Sequence, residues 1–284
     1  MKKLILLLVV SFISINAFSQ PNADAQKIYD TEKAFERLSA EKGINQAFIE
    51  FMAPDGILFY PNPVNGREYW KSRPASPAFL TWNPTYVDVS SNGVLAYSTG
   101  NSVYRAKGKD DANGFHGQYM SIWQRQPDGN FRAVLDVGIT HGKPEKIETE
   151  WKSPPDMGKE MNAQKSTAAD YVNTFFEVAA REGLNKAYKI YAAEAVRALR
   201  EEKFPIIGKD NLLAETKKDK SRIAFAKRSV FFGAADMAYI TNSYTLTKKD
   251  NSAEQGNFVQ IWKLRGGKWQ LVMDVFILVP PDKK

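Results

Sequence analysis

Two aspartates and two histidines are the residues of this chain whose types and places could move a proton. Asp136 lies in Leu135-Asp136-Val137 and Asp274 in Met273-Asp274-Val275, matching places in two similar segments. Alternate residues of a strand share a face. Strict alternation puts Asp136 with Arg132 and Val134, opposite Phe131, Ala133, Leu135 and Val137, and puts Asp274 with Gln270, Val272 and Phe276. If that face lines an apolar cavity, desolvation raises each pKa toward that of a useful acid or base. If it faces outward, each aspartate is a solvated or salt-bridged charge. His116 and His141 are the only histidines. They sit at strand ends that antiparallel pairing brings together, where either would serve as the partner of Asp136 or as an exposed hydrogen-bonding group. Both with Asp136 make a minimal metal set, but the short ligand spacing of a metal motif is missing, so no metal is expected. No cofactor is expected either: the chain has no phosphate-binding glycine loop, Gly-x-Ser-x-Gly elbow or calcium loop. It has no cysteine, hence no disulfide, thiol nucleophile or lipid-modified cysteine.

Aromatic residues suggest a binding site. Tyr60, Tyr119 and Trp123, with Asp136, are the expected wall of a pocket, and Trp70, Trp82 and Tyr86 add rings that only the first half carries. Such a wall suits a flat apolar ligand. Trp123 has a counterpart in Trp262, and a tryptophan on a central strand is ordinarily core.

The elements that must position these residues occur twice. Ala40-Glu41-Lys42-Gly43-Ile44-Asn45-Gln46-Ala47-Phe48 answers Ala180-Arg181-Glu182-Gly183-Leu184-Asn185-Lys186-Ala187-Tyr188. Further pairs keep the order: Gly66-Arg67-Glu68 with Gly208-Lys209-Asp210, Ala96-Tyr97-Ser98-Thr99 with Ala238-Tyr239-Ile240-Thr241, and Gly117-x-Tyr119-x-x-Ile122-Trp123 with Gly256-x-Phe258-x-x-Ile261-Trp262. This is a tandem duplication. Each copy opens on a helical pair broken at Gly43 or Gly183. In the first copy a short strand at 57–60 and a short helix from Gly66 follow, then strands at 85–90, 95–105, 117–126 and 130–139. Helices followed by an antiparallel meander give an α+β class.

Residues 1–19 have a basic start at Lys2-Lys3, an apolar stretch from Leu4 to Phe18 and small residues at Ala17 and Ser19. The pattern is that of a signal peptide cleaved before Gln20, so a periplasmic or secreted protein without a membrane span is expected. Domains at 20–141 and 166–284 then flank a proline-containing linker at 142–165. The formal charge of +7 is uneven. Residues 20–141 hold 12 basic and 13 acidic side chains, whereas 166–284 hold 20 and 14. The second copy therefore suits an acidic partner. Its runs Lys217-Lys218-Asp219-Lys220-Ser221-Arg222 and Lys248-Lys249 lack interleaved aromatics and read as solvated faces, not a nucleic-acid site.

The ordered set Gly-Arg-Glu, Ala-Tyr-Ser-Thr-Gly and Gly-x-Tyr-x-x-Ile-Trp before Asp-Gly resembles the NTF2-like superfamily, most closely its SnoaL-like and DUF4440 groups, over about 30–141 and 168–280. The resemblance implies cone-shaped domains, each a curved sheet wrapped around a helix to leave a mostly apolar pocket. The superfamily includes isomerases, dehydratases, cyclases and non-catalytic binding modules, so fold alone does not select a chemistry. In its isomerases a general-base aspartate precedes a proline after the first strand. Here that place, before Pro61, is Tyr60, a poor base at neutral pH. The expectation is an exported tandem protein whose copies pack as a pseudo-dimer, with a small apolar molecule bound in the first. The alternative is an isomerase-, dehydratase- or cyclase-type enzyme using Asp136 with a histidine.

Overall fold

The computed structural model describes residues 22–154, 167–227 and 229–281. The expected signal peptide and the second half of the expected linker lie outside these residues. The first copy runs α1 (Ala23–Lys42), α2 (Ile44–Phe51), β1 (Met52–Phe59), β2 (Pro63–Asn65), α3 (Gly66–Lys71), β3 (Phe79–Val89), β4 (Leu95–Arg105), β5 (Gly114–Arg125) and β6 (Phe131–His141). The second repeats the order as α4 (Ala168–Glu182), α5 (Leu184–Tyr191), β7 (Ala192–Leu199), β8 (Ile206–Ile207), α6 (Lys209–Thr216), β9 (Arg222–Phe225), β10 (Val230–Ala234), β11 (Met237–Thr247), β12 (Ala253–Arg265) and β13 (Lys268–Val279).

The repeated motif has a structural job. Gly43 and Gly183 sit at φ 88° and φ 89° between their paired helices, a conformation a β-carbon disfavours. Two residues on, Asn45 donates its side-chain amide to the carbonyls of Trp70 and Arg73 at 3.1 and 2.9 Å. Asn185 likewise donates to the Leu213 carbonyl at 2.8 Å and to the Thr216 hydroxyl at 2.9 Å. In each copy the motif thus turns one helix into the next and ties it to the third.

Each sheet is mixed, not a pure meander. The sheet orders are β2-β1-β6-β5-β4-β3 and β10-β11-β12-β13-β7-β8. The last strand of each copy pairs with the first in parallel, Leu58 opposite Asp136 and Ala198 opposite Asp274. The long stretch between the paired strands, one helix and several further strands in each copy, makes this parallel return possible.

A β-bulge changes which residues share a face. Pairing of β5 with β6 shifts between Ile122 and Trp123, skipping Val134, and pairing of β12 with β13 shifts between Ile261 and Trp262, skipping Val272. An extra residue reverses the alternation beyond it. Phe131 and Ala133 therefore lie on the helix side with the first core, and Asp136 joins them there among the cavity-lining residues. Val134, Leu135, Val137 and Ile139 face the other copy. The strict alternation expected from the sequence, with Asp136 beside Val134, is corrected accordingly.

The described residues form three cores: one under each helical layer and one between the backs of the two sheets. The third holds Leu95, Tyr97, Met120, Ile122, Val137 and Ile139 of the first copy against Met237, Val259, Ile261, Met273, Val275 and Ile277 of the second. Both faces of the sheets are covered, which is why β13 reads as a nearly unbroken apolar run. Polar contacts fix the register of the pair. Lys263, buried, donates to Asp88 at 2.7 Å, and Arg265 donates to the other Asp88 oxygen at 2.9 Å. Asp88→Ala removes the carboxylate shared by both cations, leaving Lys263 only Asp236 at 3.7 Å and the Val89 carbonyl, and should cost about 2 kcal/mol of unfolding free energy. Urea denaturation checks this, and a loss below about 1 kcal/mol would show that the pair does not hold the copies together.

The first half of the linker is ordered against the first copy. Trp151 stacks on Tyr29 with ring centroids 4.8 Å apart, and Lys152 bridges β3 through Val87 N–H to Lys152 C=O and Lys152 N–H to Thr85 C=O, both 3.0 Å. Trp151 and Ile147 are its only large apolar side chains, too few for the periodicity that marks an element in sequence.

Candidate functional site

The cone of the first copy encloses a cavity of about 250 Å³ between α1, α2, α3 and the sheet. Phe35, Phe48, Trp70, Trp82 and Tyr119 supply apolar wall, and Asp136 supplies a carboxyl. Tyr60 stands at the rim, 61% exposed and packed on Tyr69 at 4.6 Å. Asp136 accepts a hydrogen bond from Ser121 at 2.7 Å and has no cationic partner among the described residues. Burial raises its pKa to about 7, the Ser121 bond opposing this and the nearby Glu32 charge adding to it. The Tyr119 hydroxyl and Trp70 indole N–H are buried in the wall with no hydrogen-bond partner among the described residues. Tyr119 lies near Ser98, but the Ser98 hydroxyl is given to Glu32.

Glu32 is the functional residue that the sequence reasoning missed. It sits on the apolar stripe of α1 between Ile28 and Phe35 and is fully buried. Its carboxylate accepts from Trp82 Nε1 at 2.8 Å, Trp123 Nε1 at 3.0 Å and the Ser98 hydroxyl. Burial raises its pKa, and these donors oppose the rise. A charged residue at the centre of an amphipathic stripe was the available signal.

Of the expected site residues, the fold brings Tyr60, Tyr119 and Asp136 to one cavity. Trp123 is not in that wall: it is fully buried beneath it, bonded to Glu32 and Ser98. His116 and His141 do pair with each other across β5 and β6, but five residues along the strands from the Ser121–Asp136 pair. At about 3.4 Å per residue that is some 17 Å, so no Asp136–histidine pair forms. His141 packs against Phe204 of the second copy at 4.9 Å. Among the described residues no three histidine or carboxylate groups converge to hold a metal.

The second cone shows what fills the same scaffold. Phe258 stands where the first copy has Tyr119, Val172 where it has Glu32, and Phe276 where it has Gly138. Arg200 replaces Tyr60 and turns inward, its guanidinium 4.2 Å from the Phe276 ring centre and 2.5 Å from the Asp274 carboxylate. Tyr188 and Gln260 donate to the same carboxylate at 2.7 and 2.9 Å. Asp274 is thus a neutralised structural anion, whereas Asp136 is a carboxyl without a counter-charge at an open cavity.

The raised pKa of Asp136 sets the sign of a pH effect. The native carboxyl holds its proton more tightly than the unfolded chain, so stability falls as pH rises from about 4 to about 7 and then levels. The shift from 3.8 to about 7, discounted for access from the cavity, is worth about 2 kcal/mol. Asp136→Asn should therefore exceed the native chain in stability by about that much at pH 8 and match it near pH 4. Urea titrations at the two pH values check this; a gain of equal size at both would show that Asp136 ionises normally.

No family model matches the chain, and no curated protein matches it. Solved structures it is similar to include NTF2-like proteins. One from Shewanella oneidensis MR-1, described as of unknown function, is 19% identical, with 39% of this chain and 98% of that one covered and a TM-score of 0.34. One from Cytophaga hutchinsonii is 10% identical, covering 40% and 100%, with a TM-score of 0.35. One from Novosphingobium aromaticivorans, described as having a cystatin-like fold, is 8% identical, covering 39% and 78%, with a TM-score of 0.33. Each spans about the length of one copy. A shared fold does not select a chemistry, which rests on the side chains that line the site.

Proposed function

We propose that the first copy binds a small, largely apolar molecule carrying one polar group, and that the second copy serves as the scaffold that holds it. The observation that carries this is the asymmetry of the two cones: in the first copy the hollow is lined by rings around an unneutralised carboxyl, whereas in the second Phe276 and Arg200 cover Asp274 and the hollow that remains, about 640 Å³, is lined by them together with the charged Glu201, Lys203, Glu215, Asp219 and Glu254. Rings at the wall take the apolar body, and Asp136 with the unpartnered Tyr119 hydroxyl takes the polar group. A titration with 2-naphthol, read by quenching of tryptophan fluorescence, tests the proposal. One saturable site per chain is expected, and linear, unsaturable quenching would refute it.

A second reading, proton transfer on the bound molecule, is favoured by the place of Asp136: a carboxyl among apolar rings without a cationic partner among the described residues, where burial raises its pKa toward neutrality. Asp136 would exchange the proton and Tyr119 would donate to the developing negative oxygen, with no role for either histidine. Loss of turnover in Asp136→Asn with binding retained would separate this reading from binding alone.

A further inference from the structure

A second cavity of about 440 Å³ lies between the copies, on the far side of the first sheet from the cone. Three parts of the chain build it. The first copy contributes Asn101 and Gln118, the linker contributes Lys146, Ile147, Glu148 and Lys152, and the second copy contributes Arg197 and Phe204. Its charge is lopsided, since Arg197, Lys146 and Lys152 face Glu148 alone, with His141 at the edge.

Arg197 is the residue that the fold does not account for. Its pseudo-equivalent in the first copy is Ile57, which packs against the interdomain core and pairs in β1 with Leu135 just as Arg197 pairs with Met273. The scaffold is therefore built with an aliphatic residue at that place. In the second copy the guanidinium lies 3.9 Å over the Tyr86 ring, held by a cation–π contact. It makes no hydrogen bond or ion pair among the described residues, and its Nε is buried without a partner. The neighbouring cations Lys263 and Arg265 are by contrast both satisfied by Asp88. Across the cavity the Asn101 side-chain oxygen is also buried without a partner. A guanidinium nitrogen and an amide oxygen, both buried and left unpaired on two half-buried side chains, are costly to keep, and together they define what would satisfy both.

The corresponding place on the other side of the pseudo-twofold is bridged by a hydrogen bond between the copies. There Asn257, the counterpart of Gln118, donates to the Pro61 carbonyl at 3.1 Å and ties the copies together. Gln118 instead turns back to Thr99 Oγ1 at 3.2 Å, leaving the cavity open.

We infer that this interdomain cavity is a binding site for a small hydroxylated carboxylate with an apolar body. The carboxylate pairs with Arg197 and the linker lysines, Phe204 and Ile147 cover the body, and the hydroxyl reaches the Asn101 amide. The ligand touches both copies and the linker, so binding clamps the three together.

Calorimetric titration of the full chain with 4-hydroxyphenylacetate tests the inference. One saturable site is expected, more than tenfold weakened in Arg197→Ile, which restores the aliphatic residue of the first copy. The uncharged 4-hydroxyphenethyl alcohol should bind more than tenfold more weakly than the acid. Saturation with 2-naphthol should leave the acid's affinity unchanged, because the cone is a separate site, and Arg197→Ile should still bind 2-naphthol. Should Arg197→Ile fold poorly, Arg197→Gln gives the same readout with the stem over Tyr86 kept. No saturable heat, a loss below tenfold in both variants, or displacement of the acid by 2-naphthol would each overturn the site.

Discussion

Glu32→Ala is expected to be the most destabilising single change in the first copy, at about 4 kcal/mol. The carboxylate is the shared acceptor of two indole N–H groups and one hydroxyl, all buried. Removing it strands these donors, each at about 1–3 kcal/mol when unsatisfied, and leaves a void beside Phe35. Removing the burden of burying a carboxylate returns part of that loss, which is why the sum falls short of three full penalties. Glu32→Gln keeps an acceptor oxygen in place and should cost only about 1 kcal/mol. The second copy shows that the scaffold tolerates an apolar residue here if the rest changes too: beside Val172, Trp262 finds its acceptor in Gln260 at 3.2 Å. Denaturant unfolding followed by tryptophan fluorescence gives both values. If Glu32→Ala falls within about 1 kcal/mol of the native chain, the buried network does not carry the first cone.

Gly138→Phe should abolish 2-naphthol binding, by at least a hundredfold, with little loss of stability. Gly138 lies on the cavity wall of β6 opposite Tyr119. A β-carbon built there meets only the Gln118 carbonyl, at 3.8 Å. Its counterpart Phe276 shows where the new ring goes: into the cone, stacked at 4.7 Å on Tyr244. The substitution fills space and buries an aromatic ring, so its effect on folding is small or favourable, whereas its effect on the ligand is steric exclusion. Equal binding in Gly138→Phe and native protein would place the probe outside the cone.

Much of this was legible in the chain itself. The repeat fixed two copies, the motif around Gly43 and Gly183 marked the helical turn, and strand limits from Leu95 onward fell within a few residues of those observed, because turns and alternation are local signals. That Asp136, Tyr60 and Tyr119 share one cavity follows from the family resemblance and from their residue types, not from alternation, which the bulge at Val134 overrides. What was not legible depends on contacts distant in sequence. The bulges at Val134 and Val272 arise from pairing with β5 and β12, and no local residue announces them. Trp123 looked like a pocket wall because its partner Glu32 lies 91 residues away. The histidines do meet at a strand end, but the face and distance that separate them from Asp136 follow from register, not spacing. The cover over Asp274 in the second cone needed Arg200, which sequence reading left without a role, to turn toward that carboxylate.

A crystal of the chain soaked with 6-bromo-2-naphthol shows whether the first cone is open. One bromine anomalous peak is expected, within the cavity bounded by Phe35, Trp70, Tyr119 and Asp136, and none in the second cone. A peak beside Phe276 and Arg200, or an empty first cone at a saturating concentration, would contradict binding in the first cone.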